Sequence, residues 1–351
     1  MVVADLSVEL LLAGLAGGML GAALGGLPAF GLAGIVIVAG ELSQTTRATE
    51  ALGGSPLDIE GVAATIGLGP VLGPHVAFAG GVAAAAYLGR RETFDTTFRY
   101  HQAKKITKPL GSAPDVLLVG GAFGILGVVV AHTVAGVDAP LDPIALAVVV
   151  SAFVHRLAFG YPIVGRLRGL DRSILDMSPH EEGVRWGESP YDTTHGIGGR
   201  QVVEIWLPRH YRWGNVVTLG IAVGLASGYI ALVSGSAVLA FGIAATALLL
   251  LCLGLYSTPV VYHMALPASI AALALDVSVP LISATVAALL AAALFGIVAA
   301  LLGELAQRVL YAHADTHLDP PMVAILLSSL LITGLAASGV LDPASVPYPT
   351  P

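Results

Sequence analysis

The chain has 351 residues, of which 56% are hydrophobic and only 11% are charged, and its mean hydropathy is +0.85. A soluble globular protein carries about 25% charged residues because it must cover its surface with them. The composition therefore excludes an ordinary soluble domain and indicates an integral membrane protein surrounded by the lipid bilayer. The net charge is −7, and we expect no nucleic-acid partner.

The first half predicts five membrane segments, which in chain order are Val8–Leu24, Leu27–Gly40, Gly61–Leu88, Val116–Val134 and Pro143–Phe159. A helix needs about 20 mostly apolar residues to cross the hydrocarbon core, and the longest of these blocks meet that length. Gly14 and Gly18 have the spacing that lets helix backbones approach closely. The residues before the first block include Asp5 and no basic residue, so we expect no cleavable signal peptide.

Two polar loops, residues 90–112 and 165–213, contain most of the 16 lysine and arginine residues. Two segments separate the loops, so both loops face the same side, which the positive-inside rule identifies as the cytoplasm. We therefore predict a multi-pass protein of the cell membrane. Arg156 lies at the end of the segment that enters the second loop, and its long side chain is expected to reach the interface.

The loop 165–213 balances its basic residues with acidic ones, and it also contains Trp186, Tyr191 and Trp206. A loop that only binds anionic lipid would carry an excess of basic residues. The composition therefore favours a folded loop, or a loop that contacts a soluble cytoplasmic partner.

The second half repeats the plan of the first, with segments at Asn215–Val233, Ala237–Tyr256, Ser257–Val277, Leu281–Leu302 and Pro321–Val340. Short matches occur in the same order in both halves. Gly14–Gly18 resembles Gly224–Gly228, and the Leu-Asp-Pro sequence of Leu141–Pro143 returns in Leu318–Pro320. Self-similarity of this kind predicts an internal duplication.

The fold prediction is an all-α, polytopic membrane bundle of about ten segments. Residues 1–164 form the first repeat, which includes the polar loop 90–115; residues 165–213 form the cytoplasmic loop, and residues 214–351 form the second repeat. If Pro70–Leu88 crosses fully, each half has five crossings and the halves are inverted. If that segment re-enters instead, each half has four crossings and the halves are parallel. We favour the inverted arrangement, which is a recurrent plan in secondary transporters.

Broken helices occur at corresponding places in the two halves, at Gly67–His75 and at Tyr256–Pro267. Proline removes a backbone donor and clashes with the preceding turn, so neither segment continues as a regular helix. Such breaks point to a transporter's binding site. The predicted substrate or ion site consists of His75, His263, Ser257, Thr258, Tyr262, Gly69 and Gly73. In the alternative interpretation, each histidine only bonds a carbonyl that a proline has freed.

A second polar cluster, His313, Asp315 and His317, precedes the last segment. Histidines four residues apart share a helix face, and an acidic residue nearby completes the ligand types of a divalent-metal site. A simpler interpretation also exists, because Asp319 before proline is typical of a helix N-cap. Asp142 occupies the same position in the first half.

Signatures of nucleotide binding and of common enzyme classes are missing from the sequence. It contains no phosphate-binding loop that ends in Gly-Lys-Ser/Thr, no His-Glu-x-x-His and no nucleophile elbow. The single cysteine, Cys252, excludes an internal disulfide and a cysteine metal cluster. We therefore predict no enzyme, and no cofactor is indicated.

The middle of the chain resembles a membrane subunit of the archaeal methyltetrahydromethanopterin:coenzyme M methyltransferase, a complex that pumps sodium. The resemblance covers Gly81–Asn215 and is carried by Gly89–Arg91, Lys104–Lys105, Asp115–Leu117, Glu181–Gly183, Ser189–Tyr191 and His195–Gly199. It implies a membrane subunit of a larger complex. No acidic residue lies between Pro143 and Gly165, so the resemblance does not extend to a sodium-binding carboxylate in that segment.

Two functions from different classes follow. The first is a channel or secondary transporter for an ion or small solute, with its site between the two broken helices and with a homo-oligomer as one form of assembly. The second is a non-catalytic membrane scaffold that docks a soluble partner through residues 165–213.

Overall fold

A computed structural model describes residues 6–43, 61–91, 103–167, 173–186, 200–206, 210–275 and 282–350. Within these residues the protein is helical, apart from a two-residue strand pair, β1 (Arg185–Trp186) and β2 (Arg200–Gln201). The predicted all-α class is confirmed. Five helices are long and apolar enough to cross a membrane: Gly26–Ser43, Pro114–Gly136, Trp213–Ser234, Ala284–Tyr311 and Pro320–Ala337.

The helices of the first half are α1 (Val8–Leu24), α2 (Gly26–Ser43), α3 (Ala79–Arg91), α4 (Pro114–Gly136) and α5 (Pro143–Ala158). The Ser7 hydroxyl caps α1 by accepting from the Leu10 N–H group. Gly25, with φ +90°, separates α1 from α2 in a conformation that other residues rarely adopt. Proline stands in the first turn of α4 and of α5, where its missing N–H group is not needed.

The interrupted segment before α3 has the form that its prolines and glycines predict. Two single π-helical turns, Ala63–Gly67 and Pro74–Phe78, flank a non-helical stretch, and α3 continues from the second turn. Proline cannot supply the N–H donor that a continuous helix would need in this stretch. The polar residues 44–60, which precede it, lie outside the described residues.

The polar loop 165–213 contains the short helix α6 (Ser178–Glu181). The helices of the second half are α7 (Trp213–Ser234), α8 (Leu239–Thr246), α9 (Leu248–Cys252), α10 (Tyr262–Ala274), α11 (Ala284–Ala306) and α12 (Pro320–Ala337). A π-helical turn, Gln307–Tyr311, extends α11 beyond its predicted end. The segment predicted at Ala237–Tyr256 is two helices that join at Ala247 and end at Cys252. Gly254, with φ +89°, then turns the chain away from the helix axis.

Glycines bring helices into direct backbone contact within each half. Gly14 and Gly18 of α1 lie against Gly124 and Gly120 of α4, respectively, so these two helices run in opposite directions. In the second half, Gly220 of α7 lies against the backbone of α11 in the same antiparallel manner. Such close approach is a common basis of helix association in membranes, where lipid gives little hydrophobic driving force.

Contacts between the halves use other helices. Gly34 of α2 packs on the backbone of α8 at Ala245. Asp142, which precedes α5, donates from its N–H group to the Ser329 hydroxyl of α12 at 2.9 Å, and the Thr333 hydroxyl donates to the Pro140 carbonyl at 2.9 Å. The largest hydrophobic cluster includes residues of both halves, so the halves share one core.

The turn between α1 and α2 lies against the basic loop that precedes α4. The Leu27 N–H group donates to the Ile106 carbonyl at 2.9 Å, and Gly25 packs on the Lys108 carbonyl. This contact identifies the end of the bundle at which α1 finishes and α2 begins.

We expect Gly18→Ala to destabilise the protein, because a Cβ atom at this position would overlap the Gly120 carbonyl oxygen. Overpacking of a well-filled contact costs about 1–3 kcal/mol. Thermal unfolding of the purified protein in detergent measures the effect. Gly334→Ala, at a helical glycine with no atom within 4 Å of the added Cβ, is the matched control and is expected to be neutral or stabilising. Equal melting temperatures for the two variants would contradict the close α1–α4 contact.

Candidate functional site

The two histidines of the predicted site are buried, and each lies against a helix of its own half. The His75 carbonyl faces Gly127 of α4, whereas the His263 imidazole faces Gly303 of α11 and lies 6.4 Å from the His210 ring. Neither Nδ1 atom has a hydrogen-bond partner within the described residues. The approach of His75 to His263 stays a prediction.

The glycines of the first break shape its backbone. A Cβ atom at Gly69 would overlap the Thr65 carbonyl, and one at Gly73 would overlap the Gly69 carbonyl. The Gly73 N–H group also donates to the Gly69 carbonyl at 2.9 Å. Both glycines are therefore needed for this compact turn, in which the partly buried Leu68 packs against the largest hydrophobic cluster.

Ser257 and Thr258 do not join the buried site. Ser257 is exposed, and the Thr258 hydroxyl donates to the nearby Leu255 carbonyl at 2.8 Å. The reason is the early end of α9 and the late start of α10 at Tyr262, which leave both hydroxyls in a surface turn.

Tyr262, by contrast, lies at the centre of the protein and is completely buried. Its hydroxyl donates to the Asp319 carboxylate. Its ring centroid lies 4.9 Å from that of Phe30 and 5.8 Å from that of Phe241. The tyrosine thus connects a buried acidic group to an aromatic cluster that both halves supply.

Aromatic rings continue from this point in an unbroken series, with neighbouring centroids 4.9–5.9 Å apart. We define this ring chain as Phe241, Tyr262, Phe30, Phe78 and His317, followed by Tyr311 and Trp206, which are both neighbours of His317. Burial lowers the pKa of His317, so its imidazole is neutral near pH 7.

A cavity lies at each end of the ring chain. The first cavity, of about 240 Å³, is lined by Phe241 together with mostly apolar side chains, and by Asp142 and Tyr348. The second cavity, of about 130 Å³, is lined by Trp206 and Tyr311 and also by Lys104 and Lys105.

The length of helix α5 shows how far apart the two cavities lie. Asp142, at its start, lines the first cavity, whereas Arg156, near its end, bonds to the segment that enters the second cavity. At 1.5 Å per residue these positions are about 20 Å apart along the helix. The ring chain therefore separates two cavities that lie near opposite ends of the bundle.

Lys104 and Glu204 form a buried ion pair beside the second cavity. Their charged atoms are 2.7 Å apart, and the two side chains are only 3% and 5% exposed. The Lys104 ammonium also donates to the Tyr311 carbonyl at 2.8 Å and lies 4.2 Å from the centre of the Tyr311 ring. The pair joins the two polar loops, residues 90–112 and 165–213, to the end of α11.

Arg156 does not reach the interface, so that prediction is wrong. Its side chain is completely buried, and it donates to the Thr316 hydroxyl at 3.0 Å, to the Leu310 carbonyl at 2.8 Å and to the Ile163 carbonyl. The segment 312–319 folds over the end of α5, and its backbone acceptors replace the water that an interfacial arginine would find. His155 bonds to the same Thr316 hydroxyl at 3.0 Å.

A second buried ion pair anchors the long polar loop 165–213. Arg308 and Glu304 are 2.6 Å apart, and the Gln307 amide donates to Glu304 at 2.7 Å. Arg308 also donates to the carbonyls of Leu175 and Tyr211. These bonds fix described parts of the loop 165–213 against α11, as a folded loop requires.

The predicted metal ligands bond to different partners. The Nε2 atom of His313 lies 3.1 Å from the Ile174 carbonyl, whereas that of His317 lies 3.4 Å from the Asp319 carboxylate. Across the residues that the structure describes, no three histidine, cysteine, aspartate or glutamate side chains are placed to hold a metal ion. The helix-cap interpretation is confirmed, since Asp319 and Asp142 accept from the N–H groups of Met322 and Ala145.

Sequence reasoning missed the partners that complete the polar interior. Glu304 and Arg308 carried a signal, because an acid and a base four residues apart at the end of an apolar block can pair on one helix face. Lys104, Glu204 and Tyr348 carried none, since each bonds to a residue far away in the sequence.

We expect Glu204→Gln to destabilise the protein by about 3–5 kcal/mol, because the change removes one charge of a buried pair. Thermal or denaturant unfolding in detergent measures the loss. Glu181→Gln is the control, since Glu181 pairs with Arg212 at 3.1 Å while both side chains are exposed, and a much smaller effect is expected. Equal effects of the two substitutions would contradict the anchoring role of Lys104 and Glu204.

Comparison with known proteins yields one family. Residues 1–349 match the sequence model of a family of unknown function, DUF7973. No curated protein and no solved structure matches the chain. Because the match covers almost all of the 351 residues, the chain belongs to this family of unknown function.

Proposed function

We propose that the protein is a channel or secondary transporter whose solute path runs between the two halves, from the first cavity to the second. The observation that carries this proposal is the pair of cavities at opposite ends of the ring chain. The ring chain would be the closed part of the path. Clefts that hold small solutes are typically apolar with a few placed polar groups, which describes the first cavity.

Helix directions support an inverted arrangement of two five-segment halves. Helix α1 ends at Gly25, beside the loop that contains Lys104 and Lys108. Helix α7 begins beside Arg308, whose guanidinium lies 4.4 Å from the Trp213 ring centre, at the same end of the bundle. The first helix of one half therefore ends where the first helix of the other begins.

The basic loops give this arrangement an orientation. Because Lys104, Arg308 and the described parts of residues 165–213 lie at one end, the positive-inside rule assigns that end to the cytoplasm. The second cavity would then face the cytoplasm, and the first cavity would face the outside. Both chain ends would lie outside the cell membrane.

We expect Phe30→Ala to open a leak between the cavities. Phe30 is completely buried and contacts Phe78, Phe241 and Tyr262, so its removal leaves a gap in the middle of the ring chain. Osmotic swelling of proteoliposomes with glycerol and with tetramethylammonium chloride measures the leak. The swelling rate should rise well above that of the unmodified protein.

The matched control is Phe295→Ala, which removes another buried phenylalanine of the same core cluster, outside the ring chain. Both substitutions should lower stability by about 3–5 kcal/mol, because each leaves a core cavity. Only Phe30→Ala should increase permeability. A leak of equal size in the Phe295→Ala variant, or no leak in the Phe30→Ala variant, would remove the ring chain as a barrier.

Accessibility of single cysteines tests the topology. With Cys252 replaced by alanine, cysteines at Asp138 and Ser345 are expected to react with an impermeant thiol reagent in whole cells, whereas those at Thr107 and Glu182 are not. Labelling at Thr107 or Glu182 would reverse the orientation. Labelling at Asp138 with protection at Ser345 would select the parallel, four-crossing arrangement.

The scaffold function receives less support from the cytoplasmic loop. Met177, Val202, Val203 and Tyr211 of this loop form a buried cluster with Ala312, at the end of α11. These four side chains thus pack against the helical bundle and are not available as a docking surface. Copurification of a stoichiometric soluble protein would restore the scaffold interpretation.

A further inference from the structure

A buried carboxylate lies at one end of the first cavity. Asp142 is 8% exposed and lines this cavity. Its Oδ1 atom accepts from the Ala145 N–H group at 2.8 Å, and its Oδ2 atom accepts from the Tyr348 hydroxyl at 3.1 Å. Both of these donors are neutral. A buried carboxylate is costly unless a charge or strong hydrogen bonds compensate it, so this position favours a positively charged partner.

The rest of the cavity wall is apolar. It includes Leu68, Val238, Phe241, Leu266, Met322 and Ile325. Such a wall suits a hydrocarbon body and lacks the several oxygen ligands that a bare metal cation requires. The volume of about 240 Å³ is small for a ligand pocket, which limits the body to a few carbon atoms or one aromatic ring.

In this structure the Tyr348 hydroxyl is hydrogen-bonded to the Asp142 carboxylate. It belongs to a C-terminal segment that folds back over the cavity: the Asp342 N–H group donates to the Ala274 carbonyl at 2.7 Å, and Leu341 bridges Leu275. The tyrosine hydroxyl is a neutral donor. A bond from an ammonium group to a carboxylate is about twice as strong, so an amine would displace the hydroxyl.

We propose that the first cavity binds a small organic cation, a primary amine with an apolar body, whose ammonium group replaces the Tyr348 hydroxyl at Asp142. This inference rests on the proposed function only in taking the cavity to be part of the solute path. An anion in this cavity would meet unfavourable charge at Asp142.

Binding to the full chain in detergent, measured by calorimetry, tests the inference with three probes of similar shape. These are 2-phenylethylammonium, 2-phenylethanol and phenylacetate. The cation should bind roughly tenfold more tightly than the alcohol, as expected for a charge-assisted bond. Phenylacetate should bind more weakly than either. Equal affinity for the cation and the alcohol, preferred binding of phenylacetate, or no binding of any probe would overturn the proposal.

Asp142→Asn locates the site, because asparagine caps a helix as well as aspartate does. This variant should lose roughly tenfold in affinity for the cation while its affinity for the alcohol stays unchanged. Asp342→Asn is the matched control, since Asp342 also precedes a proline and caps the Ala344 N–H group but is only partly buried and does not line the cavity. Unchanged cation binding by Asp142→Asn, or an equal loss in Asp342→Asn, would contradict the assignment.

Tyr348→Phe should act in the opposite direction. The substitution removes the competing hydroxyl and should tighten binding of 2-phenylethylammonium, a result that a purely structural role of the tyrosine would not give. Weaker binding would contradict displacement. Flux of the same probes into proteoliposomes separates the two proposals. Binding of the cation without flux would support the cation site and contradict transport. Flux without a preference for the cation would support transport and contradict the cation site.

Discussion

Burial of the segment 312–319 depends on hydrogen bonds that other parts of the chain supply to it and to its flanks. Arg156 donates to Leu310 and Thr316, and Lys104 donates to Tyr311. Tyr262 donates to Asp319. Backbone and charged groups inside a membrane protein require such partners, because hydrocarbon offers none. These bonds hold an irregular segment in the interior, and through it His317 enters the ring chain.

Packing within each half differs from packing between the halves. Glycines let α1 meet α4, and α7 meet α11, at backbone distance, so these helix pairs are closely packed. Between the halves the side chains are larger, and aromatic rings close the middle while a cavity stays open at each end. This division explains why the proposed path lies between the halves and not within one of them.

The two N-cap aspartates have the same local role but lie in different surroundings. Asp142 and Asp319 cap helices in the same way, and each also accepts from a distant tyrosine hydroxyl. Asp142 faces an open apolar cavity, whereas Asp319 lies beside the ring of Tyr262.

The resemblance of the middle segment to a methyltransferase membrane subunit stays a prediction.

The sequence by itself determined the all-helical class, the presence of helices apolar enough to cross a membrane, the order of most helices, and two of the caps. Helix α1 begins and ends where the apolar pattern predicts, and Asp142 and Asp319 cap helices as their positions before proline indicate. These features depend on residues within a few positions of one another. Tyr262 is buried and bonds to Asp319, which was predicted only as a cap, and its part in a binding site stays a prediction.

The tertiary structure alone decided which distant groups meet. It paired Lys104 with Glu204 and Tyr348 with Asp142, and it buried Arg156, which the sequence predicted at the interface. It also left Ser257 at the surface, because α9 ends several residues before its apolar pattern does. A hydropathy pattern reports how apolar a segment is, but the partner of a buried charge depends on how segments far apart in the chain come together.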